Sequence, residues 1–358
     1  MSHASTETRR ANGAMPRRQQ ERIVTLMHGA GGRAMRALVQ DTLAAGFPAG
    51  APWAVGLEAM DDGAAIPLAD GWLVVTTDSH VVHPWEFPGG DIGRLSISGT
   101  VNDLAMMGAT EPLGLTSAIV VEEGFALADL ERVQSSMTTA CLEAGATVVT
   151  GDTKVMGRGE LDGIVINTTG VALARSVVRD SGLVPGDRIV MTGTIGDHGI
   201  ALMAARHGLD FDGGLASDVA PINRLVRLAL DAAPGAVRAM KDPTRGGVAS
   251  ALHEMAEKSG VGIVVEAERI PVSPAVRSAA EILGLDPFHI ANEGKAILGV
   301  AAEAADAVLA ALRSHPRGAD AAIVGECIDR QVGRVILDTG FGRRLVTEPE
   351  GEPLPRIC

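Results

Sequence analysis

Residues 113–174 read LGLTSAIVV (113–121), LADLERVQSSMTTACLEA (127–144), VVT (148–150) and GIVINTTGVALA (163–174). The first, third and fourth stretches are short, rich in Val, Ile and Thr, and read as strands. The second puts Leu130, Val133, Met137, Ala140, Cys141 and Ala144 on one face at helical spacing, which is the stripe of an amphipathic helix. Strands interleaved with such a helix make a mixed α/β layer, and this decides the fold class.

The alternation runs outward in both directions. Upstream, 23–27 is strand-like or extended, His28-Gly29-Ala30-Gly31-Gly32 is a glycine loop, and 33–44 is a helix. Strands at 53–60 and 72–77 flank the turn signal Asp61-Asp62-Gly63, and 93–107 is helical. Downstream, the turn Val184-Pro185-Gly186-Asp187 launches a strand at 188–192. Helices follow at 200–207, 221–232, 247–259, 274–283 and 303–314, with strands at 262–266, 296–301, 321–326 and 334–337. A chain of 358 residues holds roughly two domains at ~150 residues each. The reading is therefore α/β (α+β): two mixed domains, 23–175 and 185–346. A disordered leader (1–22) precedes them, and a mobile tail (347–358), rich in Pro and Glu, follows. Exposed strands in the N-terminal half would want covering.

Composition narrows the function classes. The chain carries 31 basic and 44 acidic residues, a net charge of −13. That argues against nucleic acid, because phosphate neutralisation needs a basic surface. With 46 % hydrophobic and 21 % charged residues, a large core is expected and global disorder is excluded. No uncharged apolar run approaches the ~18 residues of a membrane span. The first twenty residues are polar, carry Arg9, Arg10, Arg17 and Arg18, and have no apolar centre, unlike a secretory signal. A transit peptide is the weaker alternative. Three cysteines, Cys141, Cys327 and Cys358, make no disulfide framework. A reducing, cytoplasmic setting is expected.

Several polar residues break this apolar pattern. Asp78 follows an apolar strand, Asp91 sits in Gly89-Gly90-Asp91, Asn102-Asp103 lies in an apolar helix, and Gly151-Asp152-Thr153-Lys154 follows a strand. Oxygen ligands beside glycine turns suit Mg²⁺ that bridges nucleotide phosphates; each Asp equally suits a helix cap or a turn. The loops 28–32 and Asp242-Pro243-Thr244-Arg245-Gly246-Gly247 precede helices, where free N–H groups and the helix dipole attract anions. Neither matches the Walker A or G-x-G-x-x-G pattern. Glu293 and Lys295, in a turn before a strand, read as acid–base groups or as turn residues. His80 and His83 make a poor metal pair for want of a third ligand nearby. Cys358 is the last residue, two after Arg356; its thiol is a reactive carrier or an incidental exposed group. Prenylation is excluded, because it needs the cysteine fourth from the end and Pro355 stands there.

Together these motifs resemble the HypE family, the carbamoyl dehydratases of [NiFe]-hydrogenase maturation. The resemblance rests on Thr76-Thr77-Asp78-Ser79, Phe87-Pro88-Gly89-Gly90-Asp91-Ile92-Gly93, GTVNDLA (99–105), GDTKV (151–155), INTTG (166–170), DPTRGG (242–247) and Asn292-Glu293-Gly294, and covers residues 23–358. The acidic and glycine motifs are shared with the wider aminoimidazole ribonucleotide synthetase-like superfamily, which includes thiamine-monophosphate kinase. The terminal Pro355-Arg356-Ile357-Cys358 is similar to the signature of the HypE family.

The resemblance implies ATP bound between the domains, and a homodimer whose N-terminal domains pair into a β-barrel. It implies Mg²⁺ on Asp78, Asp103 and Asp152. It implies nucleotide binding by Gly29, Gly31, Gly32, Asp78, Asp91, Asn102, Asp103, Asp152, Thr153 and Asp242. Cys358 would accept a carbamoyl group from a HypF-type carbamoyltransferase. Glu293 would act as base and Lys154 as charge stabiliser. Cyanide would pass to iron on a HypC–HypD-type scaffold. The alternative is a small-molecule kinase or synthetase of the same superfamily, which would not need Cys358.

Overall fold

The computed structural model describes residues 23–29, 31–47, 55–209, 214–348 and 356–358. The expected leader (1–22), Ala30 and residues 349–355 of the expected tail lie outside them. A 3-10 turn (Leu26–Gly29) leads to helix α1 (Gly32–Leu38), which widens into a π turn (Val39–Leu43). Strands β1 (Ala64–Leu68) and β2 (Gly71–His80) form a hairpin; β3 (Glu86–Phe87) and β4 (Gly90–Asp91) form a short one. Helix α2 (Ile92–Met106), β5 (Pro112–Glu122), α3 (Leu127–Ala144), β6 (Val148–Met156) and β7 (Ile164–Ala174) follow. Asp91 caps α2: its Oδ1 accepts the Arg94 N–H at 2.8 Å. Helix α3 stops at Gly145, whose φ of 71° is left-handed.

These strands make one sheet in the order β1-β2-β7-β5-β6. Only β5 and β6 run parallel, joined by the α3 crossover that parallel neighbours require. Helices α2 and α3 cover one face through Leu95, Ile97, Val133 and Met137. The other face leaves Ile66, Leu68 and Leu173 about half exposed.

The second half holds β8 (Arg188–Met191), α4 (Asp197–Arg206), α5 (Asn223–Ala232), β9 (Val237–Lys241), α6 (Gly247–Ser259), β10 (Gly262–Glu266) and α7 (Pro274–Leu283). It ends with β11 (Ile297–Val300), α8 (Ala305–Arg313), β12 (Ala322–Ile328), β13 (Val335–Asp338) and β14 (Arg343–Leu345). The sheet order is β14-β13-β10-β12-β8-β11-β9. Helix α6 packs on one face through Val248, Leu252 and Met255. Helices α5 and α8 pack on the other through Leu225, Val226, Val308 and Leu312. Burying each such side chain stabilises the layer by ~1.5–3 kcal/mol. Helix α2 is buried on nearly every side because it lies between the two layers.

Several expected elements are corrected. Residues 23–27 are not a strand but run into a 3-10 turn. Nor is 53–60 one: 53 and 54 lie outside the described residues, Val55 forms an isolated bridge to Ala65, and Leu57–Ala59 is a 3-10 turn. The strand comes after the Asp61-Asp62-Gly63 turn instead. It contains Pro67, which an edge strand tolerates because no ladder partner misses its N–H. Strands β2 and β6 run on to His80 and Met156, so Asp78 and Asp152 lie inside strands, not after them.

Candidate functional site

Seven carboxylate side chains line a cleft of about 270 Å³, and four of them, from four segments, were expected from the sequence. Asp78 comes from β2, Asp103 from α2, Asp242 from the residue after β9, and Glu293 from the turn before β11. Gly31, Gly32, Asp62, Thr76, Gly99, Arg245 and Cys358 also line it. Strand parity explains Asp78: Thr76, Asp78 and His80 share the face of β2 that meets α2. Gly99 lets the helix close on that face, since a Cβ there would stand 2.8 Å from His80 Nε2. That nitrogen lies 3.3 Å from Asp78 Oδ2. Burial holds the His80 imidazole below the usual histidine range, so it meets Asp78 as a neutral ring.

Like charges in a dry site bind protons more tightly. Burial, then Asp242, Asp78 and Asp62, raise the Asp103 carboxyl well above its usual range. Burial and Asp62 lift Asp242 to about 8. Burial, then Asp242, Asp218 and Asp78, raise Glu293 well above its usual range. Glu293 is 4 % exposed, and among the described residues its Oε1 has no hydrogen-bond partner. Thr76 Oγ1 lies 2.9 Å from both Asp103 Oδ2 and the Asp62 carbonyl. Its single proton serves one of them, and a protonated Asp103 supplies the other. Lys241 is already engaged, with its Nζ 2.7 Å from Asp62 and 3.3 Å from Glu254. Burial pulls its pKa down, but the surrounding carboxylates outweigh it and the net shift is upward.

Among the described residues, no three His, Cys, Asp or Glu stand close enough to hold a metal ion by themselves. Mg²⁺ needs only one or two carboxylates when phosphates supply its other oxygens. Carboxylates whose crowding raises their affinity for protons would release those protons to a cation, and an open cluster of them suits one shared with phosphates.

Six expected site residues stand outside this cleft. Asp91 is spent on capping α2, and the helix rise sets its twelve-residue separation from Asp103 at ~18 Å. Asn102 is no ligand either. Its Oδ1 accepts the Ile222 N–H at 2.8 Å, and its Nδ2 donates to the Ala220 and Glu293 carbonyls at 3.0 and 3.1 Å. The amide is used up in tying α2 to the second layer. Asp152, Thr153 and Lys154 lie on the edge strand β6. The row Asp152–Ala118–Asn167–Ser79 crosses the sheet in register, so Asp152 shares the face of Ser79 and not that of Asp78. Lys154 shares the Asp152 face and bonds it at 2.8 Å, both side chains being about two-thirds exposed (67 % and 63 %). Within one chain neither reaches the cleft. Gly29 has nothing within 4 Å of where a Cβ would lie.

The end of the tail is docked. Ile357 is 2 % exposed and belongs to the core under the first sheet. The Val81 and His83 N–H groups donate to the Cys358 terminal carboxylate and the Arg356 carbonyl at 3.2 and 3.1 Å. His198 Nε2 lies 2.8 Å from the Ile357 carbonyl, and Arg206 donates to the Arg356 carbonyl. Residues 356–358 thus extend the line of β2 as a strand would. Burial raises the Cys141 thiol and pushes that of Cys327 up to about 12, which suits packing rather than reactivity. Sequence reasoning missed Asp62, Lys241, His198 and Arg206. Asp62 stood in the turn signal, and His198 in the glycine-flanked run Gly196-Asp197-His198-Gly199.

Residues 60–174 match the family model of the AIR synthase related protein, N-terminal domain, and residues 184–338 that of its C-terminal domain. Over 339 residues the chain is 47 % identical to the carbamoyl dehydratase HypE of Cupriavidus necator, covering 94 % of this chain and 95 % of that protein. The chain belongs to the HypE family. A crystal structure of a HypE–HypF complex superposes with a TM-score of 0.81 at 43 % identity, covering 87 % of this chain and all (100 %) of that one. HypE crystallised with ATP gives 0.77 at 40 % identity, covering 93 % and 100 %. For a HypE chain, the arrangement is informative on one point. Cys358 reaches the acidic cleft of its own chain, whereas Asp152 and Lys154 do not. Among the described residues no helix is long and apolar enough to cross a membrane.

Proposed function

We propose that this chain removes water from a carbamoyl group carried on the Cys358 thiol and leaves a thiocyanate, S–C≡N. The observation that carries this reading is Cys358 in the wall of the cleft formed by Asp78, Asp103, Asp242 and Glu293. The carbamoyl oxygen leaves poorly as hydroxide; ATP with Mg²⁺ supplies the phosphoryl group with which it departs as phosphate. The chain's share is positioning and charge. Asp78, Asp103 and Asp242 would hold the cation. Gly31, Gly32 and Arg245 would meet phosphate oxygens. Two N–H protons must leave: one as the carbamoyl oxygen is phosphorylated, and the other, which Glu293 would take, as the C–O bond breaks and C≡N forms. The raised proton affinity of Glu293 suits that task once a cation offsets the neighbouring carboxylates.

We infer a homodimer through the open face and free edge of the first sheet, closing a barrel. That pairing would bring Asp152, Thr153 and Lys154 to the partner's cleft, with Lys154 as charge stabiliser. The domains would be 23–175 and 185–346, one around each sheet. A HypF-type carbamoyltransferase would load Cys358, and iron on a HypC–HypD-type scaffold would receive the cyanide. Both visits require the tail to leave its dock and to be mobile then, because Ile357 is buried.

Intact mass after incubation with HypF, carbamoyl phosphate and ATP tests the reading. The wild type should gain one carbamoyl group and then, with ATP, lose one water. Cys358→Ala should show neither change. Modification that survives Cys358→Ala overturns the reading and favours a small-molecule kinase or synthetase.

A further inference from the structure

His198 has no part in the chemistry above. Yet its side chain is fully buried and both ring nitrogens are engaged: Nδ1 lies 2.7 Å from Ser217 Oγ, and Nε2 lies 2.8 Å from the Ile357 carbonyl. The Ile357 carbonyl settles the tautomer: it can only accept, so Nε2 of the neutral ring carries the proton and donates it. Nδ1 is then the acceptor and takes the Ser217 hydroxyl proton, while Ser217 Oγ accepts the Val219 N–H at 3.0 Å. Phe87 meets the ring edge-on, 5.4 Å away at 88°, and burial keeps the ring neutral.

Ser217 is itself held. Its N–H donates to the Pro88 carbonyl at 2.8 Å. Gly89 has a φ of 93°, and a Cβ there would stand 2.7 Å from the Ser217 backbone. The Pro88-Gly89-Gly90 turn, whose Asp91 never reaches the cleft, thus props the tail's receptor.

We propose that His198 is a positioning residue for Cys358: its Nε2–H, aimed by Ser217, holds the Ile357 carbonyl and seats the adjoining residue at the acidic cleft, while the buried seat of Ile357 selects an apolar penultimate side chain. This rests on reading Cys358 as the carrier. The thiol is free, carbamoylated and cyanated in turn. The grip on the Ile357 carbonyl and on its side chain does not use the sulfur, so it is available to the tail in all three states.

The full-length chain tests this without its partners. Iodoacetamide alkylation of Cys358, read by peptide mass against the buried Cys141 and Cys327, should speed up about tenfold in His198→Ala, the factor that losing one buried hydrogen bond allows. His198→Gln keeps a donor near the Nε2 position and should stay close to wild type. Ile357→Ala should speed alkylation with His198 intact, and it decides the matter if His198→Ala does not fold. On chain already carbamoylated, ATP-dependent loss of water should fall about tenfold in His198→Ala for the same reason, while loading by HypF should not fall. A merely structural histidine would depress both steps and would not be rescued by glutamine. Alkylation rates unchanged in both alanine variants, or a glutamine variant as impaired as alanine, overturn the proposal. A wild type that takes up no carbamoyl on Cys358 would sink the functional reading instead, and the alkylation rates would still decide the dock.

Discussion

A carboxyl group that binds its proton more tightly in the folded state weakens the fold as pH rises. Burial and Asp62 lift Asp242 from the usual carboxylate range to about 8. Below the unfolded value both states are protonated and the group is neutral to stability. Between the two values the folded state holds the extra proton, so stability falls with rising pH, and above about 8 the loss is complete. Asp103 and Glu293, raised by burial first, act in the same sense. Asp242→Asn should therefore raise the urea-unfolding free energy at about pH 8, flatten its decline from about pH 5, and abolish turnover. A variant no more stable than wild type at the higher pH would show that Asp242 is not strained. Asp103 stood out in the sequence because an acid is foreign to an apolar helix, whereas Glu293 read equally as a turn residue and only the family resemblance singled it out. Asp91 and Asn102 were misread for a physical reason. A capping aspartate looks like a ligand one, and the partners of Asn102 at Ala220 and Glu293 lie far along the chain.

Elements with their own period were easier to read than elements made by their neighbours. The helices at 127–144, 247–259 and 274–283 carry apolar stripes and glycine stops, and the structure has them with those bounds. Strands β9 (VRAMK) and β14 (RRL) went unread, since their sequences carry little β-branched pattern and pairing with β11 and β13 makes them strands. Helix α2 depends on its neighbours in another way. Gly93 lies where α2 crosses α3, and an added Cβ would run into the Val133 carbonyl. Gly93→Ala should destabilise the chain by about 1–3 kcal/mol, the usual range for overpacking. Since α2 also carries Asp103, turnover should fall with the displaced helix. Unfolding curves beside turnover check both. Wild-type stability would mean that the α2–α3 crossing has slack to spare.

At the scale of the whole molecule, one chain holds an incomplete set of the motifs that pointed to nucleotide chemistry. Asp78 and Asp152 project from opposite faces of one sheet, and no side-chain rotation brings them together. The half-exposed Ile66, Leu68 and Leu173 on the open face and the unpaired edge of β6 ask for a covering partner. If a second copy supplies it, each cleft draws Cys358 from its own chain and Asp152 from its twin. Mixing decides between one chain and two. Asp152→Asn and Cys358→Ala should each be dead alone. Unfolded and refolded together, they form mixed dimers in which one cleft has both an intact thiol and an intact partner aspartate. Random pairing of a two-fold dimer then restores about a quarter of wild-type turnover. If Asp152 served its own chain, every cleft in the mixture would lack one of the two groups, and turnover would stay at zero however the copies paired.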